Sequence, residues 1–411
     1  MPNPRQLIAL PRVFPTTGIA KKPPILFLTT TLCLTAGSLA QAAPLSRSIP
    51  EEQHIHWWNG LSLVNHVDLE GVANLRGGQA RGSAGTFLWK GALALHTDKA
   101  GWWQGGLFLV EGLVANSGDP DRYVGDVQSV SNLTTPTAHV ARLYKAYYRQ
   151  NLGPFTFRVG LINPNDYFND TGVAAELFNA SFGIYPVISG NIPYTPTYPY
   201  SSLGVMAAYT LGETTLQAGV FNADGYTDLR TPWGGEGQIY YGEIDENLAL
   251  PSGKLTLKAG GYYDHVSSDY LRNAIAIGPA PSQGGFYGTA EYRWKSANGE
   301  DWGAFVQAGA APNSASTSPI NAYVGAGLRL RDFLPASPKS TLSLGFARAW
   351  QRQAGAETSV EVNWYQPVFH HFYIQPDLQY VINPGASAPG NTLANALVGI
   401  LRVGWRGSLW G

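Results

Sequence analysis

Cysteine, charge and long apolar runs are all scarce in this sequence, and each shortage excludes a class of protein. Cys33 is the only cysteine among 411 residues, so neither a disulfide framework nor a cysteine metal site is possible beyond it. Charged residues form only 13% of the chain, and the scattered Lys and Arg residues argue against nucleic-acid binding. Beyond residue 42 there is no run of the roughly 18 apolar residues that a membrane-spanning helix needs, which excludes helical membrane spans.

Glycine and aromatic residues, by contrast, are abundant. The chain contains 48 Gly and 12% Phe, Trp and Tyr, and 44% of its residues are hydrophobic although its mean hydropathy is only −0.11. Apolar residues are therefore mixed with polar ones rather than collected in blocks. Alternation along β-strands is the obvious way to achieve this mixture.

The N-terminal segment 1–42 has the features of a secretory signal peptide. Lys21-Lys22 precede a mostly apolar run over 25–39, and Ala40-Gln41-Ala42 supplies a small-x-small cleavage pattern. The apolar run is shorter than the roughly 20 residues of a membrane anchor. We therefore expect cleavage after Ala42, which leaves residues 43–411 as a single exported domain.

Beyond this segment, apolar and polar residues alternate with a period of two. Phe155, Phe157 and Val159, for example, alternate with Thr156 and Arg158. Similar alternation occurs in the segments 86–98, 255–264, 286–295, 359–364, 374–383 and 401–406. Such a pattern is typical of strands with one apolar and one polar face.

Two features favour a transmembrane barrel over a soluble β-sandwich, which also alternates. The apolar face frequently ends on an aromatic residue, as at Trp294, Trp364 and Trp405, which suits the aromatic girdles at the two membrane interfaces. The opposite face has charges that a dry core would not accept. At about 23 residues per strand and loop, residues 43–411 predict an all-β fold, a transmembrane antiparallel β-barrel of about 16 strands that leaves an aqueous channel.

One segment carries a family resemblance. Residues 363–385, NWYQPVFHHFYIQPDLQYVINPG, read as a strand ending at Pro367, a short turn and a second strand. This segment resembles the C-terminal hallmark of the carbohydrate-selective porins, the OprB family. Weaker similarities to the same family occur at 74–82, 159–168 and 216–222.

The resemblance implies a 16-stranded outer-membrane porin whose narrowed, partly basic interior passes monosaccharides such as glucose and similar small solutes into the periplasm. The expected partners are these sugars and outer-membrane lipid, in a monomer or a trimer. The candidate pore-lining residues, by parity or by resemblance, are Arg81, Arg158, Glu291, Arg293 and Arg329. Arg81 is expected on a loop folded into the lumen, where its guanidinium would narrow the pore and offer donors to sugar hydroxyls.

Motifs for catalysis are missing from the sequence. We find no serine nucleophile elbow, HExxH motif, P-loop or paired Cys ligands. The adjacent His370 and His371 are interpreted as polar turn residues, because neighbours on a strand point to opposite faces. The sequence therefore predicts no enzyme, no metal site and no cofactor.

Two other functions stay open at this point. An outer-membrane barrel enzyme of the phospholipase type would need a serine and a histidine that converge on the lipid-facing side, and the sequence reveals no such pair. A secreted all-β binding protein would remain soluble after export without detergent.

Two expectations concern the C-terminal strand. Outer-membrane barrels usually end on an aromatic residue, whereas this sequence ends Leu409-Trp410-Gly411, so the ending bears on membrane assembly. Parity predicts that Val403 faces lipid and that Arg402 faces the lumen, since a shift of one residue would exchange the two faces. Val403→Arg should then destabilise the barrel more than Arg402→Val.

Overall fold

The computed structural model describes residues 56–57, 59–192, 195–225, 229, 233–234, 237–266, 282–296, 299–312, 319–334, 337, 339–352, 354–369, 371–386 and 392–407. The predicted signal peptide, His370 and the C-terminal residues 408–411 lie outside this described part. Within it, no helix is long and apolar enough to cross a membrane.

Strands account for most of the described chain. They are β1 (His56–Trp57), β2 (Leu61–Gly78), β3 (Gly82–His96), β4 (Gly106–Ser117), β5 (His139–Leu152), β6 (Phe155–Ile162), β7 (Ser202–Leu211), β8 (Thr214–Asn222), β9 (Gly237–Leu250), β10 (Gly253–Val266), β11 (Ser282–Lys295), β12 (Asp301–Ala310), β13 (Ile320–Arg331), β14 (Thr341–Gln351), β15 (Ala356–Pro367), β16 (Phe372–Ile382) and β17 (Ala394–Gly407). The described helices are short: α1 (Asp121–Val124), α2 (Pro186–Ser189) and four 3₁₀ turns, Pro164–Asp166, Ala174–Glu176, Ala180–Phe182 and Pro384–Ala386.

Strands β2 to β17 form a closed barrel of 16 antiparallel strands. Each strand pairs with its neighbours in sequence, and the ring closes where β17 pairs with β2, with Arg402 opposite Glu70. The short β1 pairs with the start of β2, His56 opposite Ser62. Because a closed ring leaves no unpaired strand edge, every barrel strand can satisfy its backbone hydrogen bonds inside lipid. The predicted fold and strand number are thus confirmed.

The two rims of the barrel differ in the length of their connections. One rim, the short-turn rim, has turns such as 153–154, 212–213 and 251–252. The opposite rim, the long-loop rim, includes the two longest described connections, 118–138 and 163–201. This division is the arrangement of outer-membrane barrels, whose longer loops are extracellular.

The outer surface of the wall is apolar. Exposed side chains there include Leu69, Leu93, Val159, Val205, Leu216, Ile244, Val306, Leu328, Leu344, Val362, Leu378 and Leu401. Aromatic clusters flank this belt near the short-turn rim: Trp102 stacks on Trp103, and Trp294 stacks on Trp302. An apolar belt of this extent belongs in a membrane, and its aromatic border matches an interfacial girdle.

The predicted parity of the last strand is confirmed. Val403 is 39% exposed on the outer surface, whereas Arg402 is 2% exposed and faces the interior. The hairpin predicted from residues 363–385 is also present, because β15 ends at Pro367 and β16 begins at Phe372. Local alternation therefore determined the two faces of these strands correctly.

Much of the barrel interior is filled by the loops 118–138 and 163–201. Loop 163–201 contributes Phe168, Phe182, Tyr185 and Val187 to a buried cluster with aromatic residues of β8 to β13. Loop 118–138 contributes Val124, Val130 and Leu133 to buried clusters against β2 to β5 and against β16 and β17. These loops narrow the channel from within, because the barrel wall alone would leave a wide aqueous pore.

Candidate functional site

Three glutamates of the barrel wall hold loop 163–201 by its backbone. Glu243 accepts a hydrogen bond from the amide of Asn169 at 2.8 Å, and Glu291 accepts one from Val173 at 2.6 Å. Glu361 accepts two, from Phe178 at 2.5 Å and from Asn179 at 2.9 Å. A loop inside a barrel has amides that no strand partner satisfies, and carboxylates are strong acceptors for them. The acidic inner wall is therefore an anchor for this loop.

Glutamines of the wall hold loop carbonyls in the complementary way. Gln307 donates to the carbonyl of Phe182 at 3.0 Å, and Gln375 donates to that of Glu176 at 3.0 Å. Gln379 donates to the carbonyl of Val130 in the other loop at 2.7 Å. Acidic side chains of the wall thus accept hydrogen bonds from loop amides, and amide side chains of the wall donate hydrogen bonds to loop carbonyls.

Loop 118–138 is anchored at the long-loop rim by Glu357. This carboxylate accepts hydrogen bonds from the amides of Val127 at 2.9 Å, Gln128 at 3.1 Å and Gly385 at 2.7 Å. It therefore ties loop 118–138 to loop 383–393. Nearby in loop 118–138, burial raises the pKa of Asp121 to about 7, with Asp119 and Glu357 adding repulsion.

Inward-facing arginines, some partly exposed and some buried, line the space between these loops and the wall. Arg158 lies 4.3 Å from the ring centre of Tyr167, which belongs to loop 163–201. Arg149 is directly opposite Arg158 in the pairing of β5 and β6. The passage here offers guanidinium donors beside an aromatic face, groups that can replace water around a sugar hydroxyl.

A second group lies on β11 to β13. Arg293 is ion-paired with Glu291, and its side chain is 38% exposed. Arg331 is 21% exposed and lies 3.4 Å from Glu176 of loop 163–201. Arg329 lies 3.4 Å from Asp301. Opposite charges alternate here, so the passage presents fixed donors and acceptors without a large excess of either sign.

The predicted site residues fall into different surroundings. Arg158, Glu291, Arg293 and Arg329 face the interior, as their parity predicted. Glu291, however, is an anchor for Val173 as well as a partner for Arg293. That these groups form the constriction remains a prediction.

Arg81 lies in the turn 79–81 between β2 and β3, rather than on a long loop. Its side chain is exposed, and its Nε donates to the carbonyl of Leu75 at 2.8 Å. The turn needs Gly77, whose φ is +69° and where a Cβ atom would fall 1.9 Å from the carbonyl oxygen of Asn395. The structure thus places Arg81 in a short turn at the long-loop rim rather than on a long loop. That its guanidinium narrows the pore remains a prediction.

Sequence reasoning missed the loop anchors Glu243, Glu357, Glu361, Gln307 and Gln375. Their inward parity was readable from the alternation, but alternation does not reveal which backbone they meet. Loop 163–201 crosses the lumen, and few features of its sequence predict that position. Its resemblance segment 159–168 was the available signal, since that segment leads directly into the loop.

No group of three or more His, Cys, Asp or Glu residues suited to a metal ion occurs in the part of the chain that the structure describes. The arrangement of the interior is that of a wall with anchored loops and a charged, water-accessible passage. Such an arrangement orients and hydrogen-bonds a passing polar solute.

Comparisons with known proteins agree with this geometry. The model of the carbohydrate-selective porin, OprB family, matches residues 94–406. The high-pH structure of Pseudomonas putida OprB has a TM-score of 0.72 at 17% identity, over 85% of this chain and 94% of that chain. The outer membrane channel DcaP of Acinetobacter baumannii has a TM-score of 0.50 at 10% identity, over 86% of this chain and 99% of that one.

These two structural likenesses show the fold, and a search of curated proteins finds no match. The family match covers most of the chain, and together with the barrel fold it indicates a carbohydrate diffusion channel of the outer membrane. The chain therefore belongs to the carbohydrate-selective porin family, OprB.

Proposed function

We propose that this channel passes neutral monosaccharides such as glucose along the groups Arg158 and Tyr167 on one side and Arg293, Arg329 and Arg331 on the other. The observation that carries the proposal is the contact of Arg158 with Tyr167 at 4.3 Å, which joins the wall to the inward loop beside the passage. A sugar presents hydroxyls to the guanidinium and C–H groups to the ring. Neither contact is strong enough to hold the solute, which suits diffusion.

Liposome swelling with glucose and with a larger disaccharide tests this proposal. We expect wild-type protein to admit glucose several times faster than the disaccharide, and Arg158→Ala to reduce that preference because the passage widens and loses donors. Lys254→Ala, at an exposed position at the start of β10, is the matched control. Equal rates for both sugars in wild-type and Arg158→Ala protein would contradict the assignment.

We further propose passive transport without catalysis, although the described residues include a serine–histidine pair that the sequence did not reveal. His265 Nδ1 lies 3.2 Å from Ser282 Oγ at an exposed site near the long-loop rim. In the described residues no carboxylate bonds to His265 to orient it as a general base, and a hydrolytic pair needs such a third group. Wild-type protein should therefore release no fatty acid from phospholipid vesicles, and Ser282→Ala should give the same result.

We also propose export by cleavage after Ala42. The support is the apolar run over 25–39 followed by Ala40-Gln41-Ala42. N-terminal sequencing of the outer-membrane form should begin at Ala43. A first residue before Leu39 would contradict this proposal.

A further inference from the structure

One arginine lies on the lipid-facing surface of the barrel. Along β14 the exposed outer side chains are Leu342, Leu344 and Phe346, and Arg348 and Trp350 continue the same face. The intervening Ala347 and Ala349 are buried in the interior. Arg348 therefore interrupts an apolar column that otherwise suits lipid.

The orientation of Arg348 is confirmed by its neighbours across the sheet. It is paired with Val324 of β13 and Thr358 of β15. Thr358 has the same parity as the exposed Val360. Lysine and arginine residues of other strands alternate with outer apolar residues and face the interior, namely Lys90, Lys145, Arg149, Arg158, Lys258, Arg293, Arg329 and Arg402.

The guanidinium of Arg348 leans toward the long-loop rim. Its carbon lies 5.2 Å from the ring centre of Trp350, which is nearer the end of β14, and its Nη1 donates to Thr358 Oγ1 at 3.3 Å. In the part of the chain that the structure describes, no carboxylate forms an ion pair with Arg348. A hydroxyl and an indole ring orient this cation, but neither neutralises it.

The position along the strand brings the cation close to the outer membrane surface. Six residues from Leu342 to Arg348 advance about 15 Å in height at a strand tilt of ~40°. The apolar band of such barrels is about 25 Å tall, and the lean toward Trp350 covers part of the remaining distance. A long basic side chain buries its stem in apolar surroundings and places its charge at the headgroups.

We propose that Arg348, supported by Trp350 and Thr358, binds a phosphate of an outer-leaflet glycolipid. The guanidinium is planar and presents paired donors that match phosphate oxygens. Trp350 suits the interface because its ring is apolar and its N–H is polar. This site is on the outer surface and does not depend on the sugar passage proposed above.

Native mass spectrometry of the refolded barrel in zwitterionic detergent tests the site, with bisphosphorylated lipid A as the probe. We expect Arg348→Leu to bind it about tenfold more weakly than wild type, the loss of one charge-assisted contact. Arg348→Lys should be intermediate, because it keeps the charge but loses the paired donors. Phe346 is the neighbouring outward-facing residue on β14, so Phe346→Leu is the matched control and should bind lipid A like wild type.

Two further probes identify the ligand. Dephosphorylated lipid A should bind wild type and Arg348→Leu equally, and inorganic phosphate alone should give no adduct with wild type. Equal binding of bisphosphorylated lipid A to wild type and Arg348→Leu would overturn the proposal, as would an inorganic phosphate adduct as strong as that of the lipid. Single-channel conductance of Arg348→Leu should equal that of wild type, so the outcome is independent of the proposed passage.

Discussion

Arg402 and Glu70 join the last strand of the barrel to the first. The Nε of Arg402 lies 2.8 Å from Glu70 Oε2 and Nη2 lies 2.5 Å from the same oxygen. The guanidinium also donates to Asn132 at 2.8 Å and lies 3.6 Å from the ring centre of Phe178. Since Asn132 and Phe178 belong to the two inward loops, one ion pair connects the closing seam with both loops.

Removing either member of this pair should destabilise the barrel strongly. Arg402→Leu leaves the buried Glu70 carboxylate without its cation, and the loss of one partner of a buried pair costs about 3–5 kcal/mol. Urea unfolding of the refolded protein measures the effect. The double variant Arg402→Leu/Glu70→Leu should recover part of the loss, and Lys295→Ala, at an exposed strand end, should change the free energy of unfolding by little.

Val403→Arg places a charge on the lipid face of β17, next to Arg402 in the sequence. We expect a loss of about 2–4 kcal/mol if the site is at mid-membrane. The Arg402–Glu70 pair changes the order of effects predicted from parity alone, because Arg402→Val now costs as much as Val403→Arg or more. Unfolding of both variants under identical conditions compares them, and a harmless Arg402→Val would show that the pair contributes little.

Glu361→Ala should loosen loop 163–201. The two amides of Phe178 and Asn179 lose their shared acceptor, at a cost of about 1–3 kcal/mol for buried donors left unpaired. We expect more frequent current fluctuations in single-channel recordings and faster protease cleavage within 163–201. Glu246→Ala removes a carboxylate that bonds Thr214 near the short-turn rim, and it should leave both measurements unchanged.

Loop 118–138 should become more stable as the pH falls from 8 to 5. The pKa of Asp121 is about 7 in the packed loop because of burial, against an ordinary value of 3.8. At pH values between these two pKa values, Asp121 is protonated in the packed loop and ionised in the opened loop. Lowering the pH therefore shifts the equilibrium between opened and packed loop toward the packed form, by at most about tenfold per pH unit. Hydrogen exchange of 118–138, compared at each pH between wild type and Asp121→Asn, measures this. An identical pH dependence in both proteins would contradict the assignment.

Arg293→Ala should raise single-channel conductance more than Arg81→Ala does. Arg293 is partly exposed beside Glu291 on the inner wall, whereas Arg81 is bonded to its own hairpin in the rim turn 79–81. Removing Arg293 also leaves the Glu291 carboxylate without its cation, although Val173 still donates to it, and this should shift the channel toward cations. A larger effect of Arg81→Ala would place the narrowest section at the long-loop rim.

The sequence by itself determined the class, the strand number and the direction of the side chains. Alternation along segments such as 155–161 and 401–406 is a local property, and a period of two assigns each residue to one face without knowledge of the partner strand. The C-terminal hairpin, from Asn363 to Gly385, was predicted for the same reason: its strand and turn signals lie next to each other in the chain.

Only the tertiary structure decided what each inward charge does. Glu361 and Phe178 are far apart in sequence, and so are Arg402 and Glu70. Whether an inward carboxylate meets water, an arginine or a loop amide depends on how 118–138 and 163–201 fold back into the ring, and no local pattern records that path. The lipid-facing position of Arg348 was readable from parity, but its significance required its neighbours, because Trp350 and Thr358 orient the cation without neutralising it.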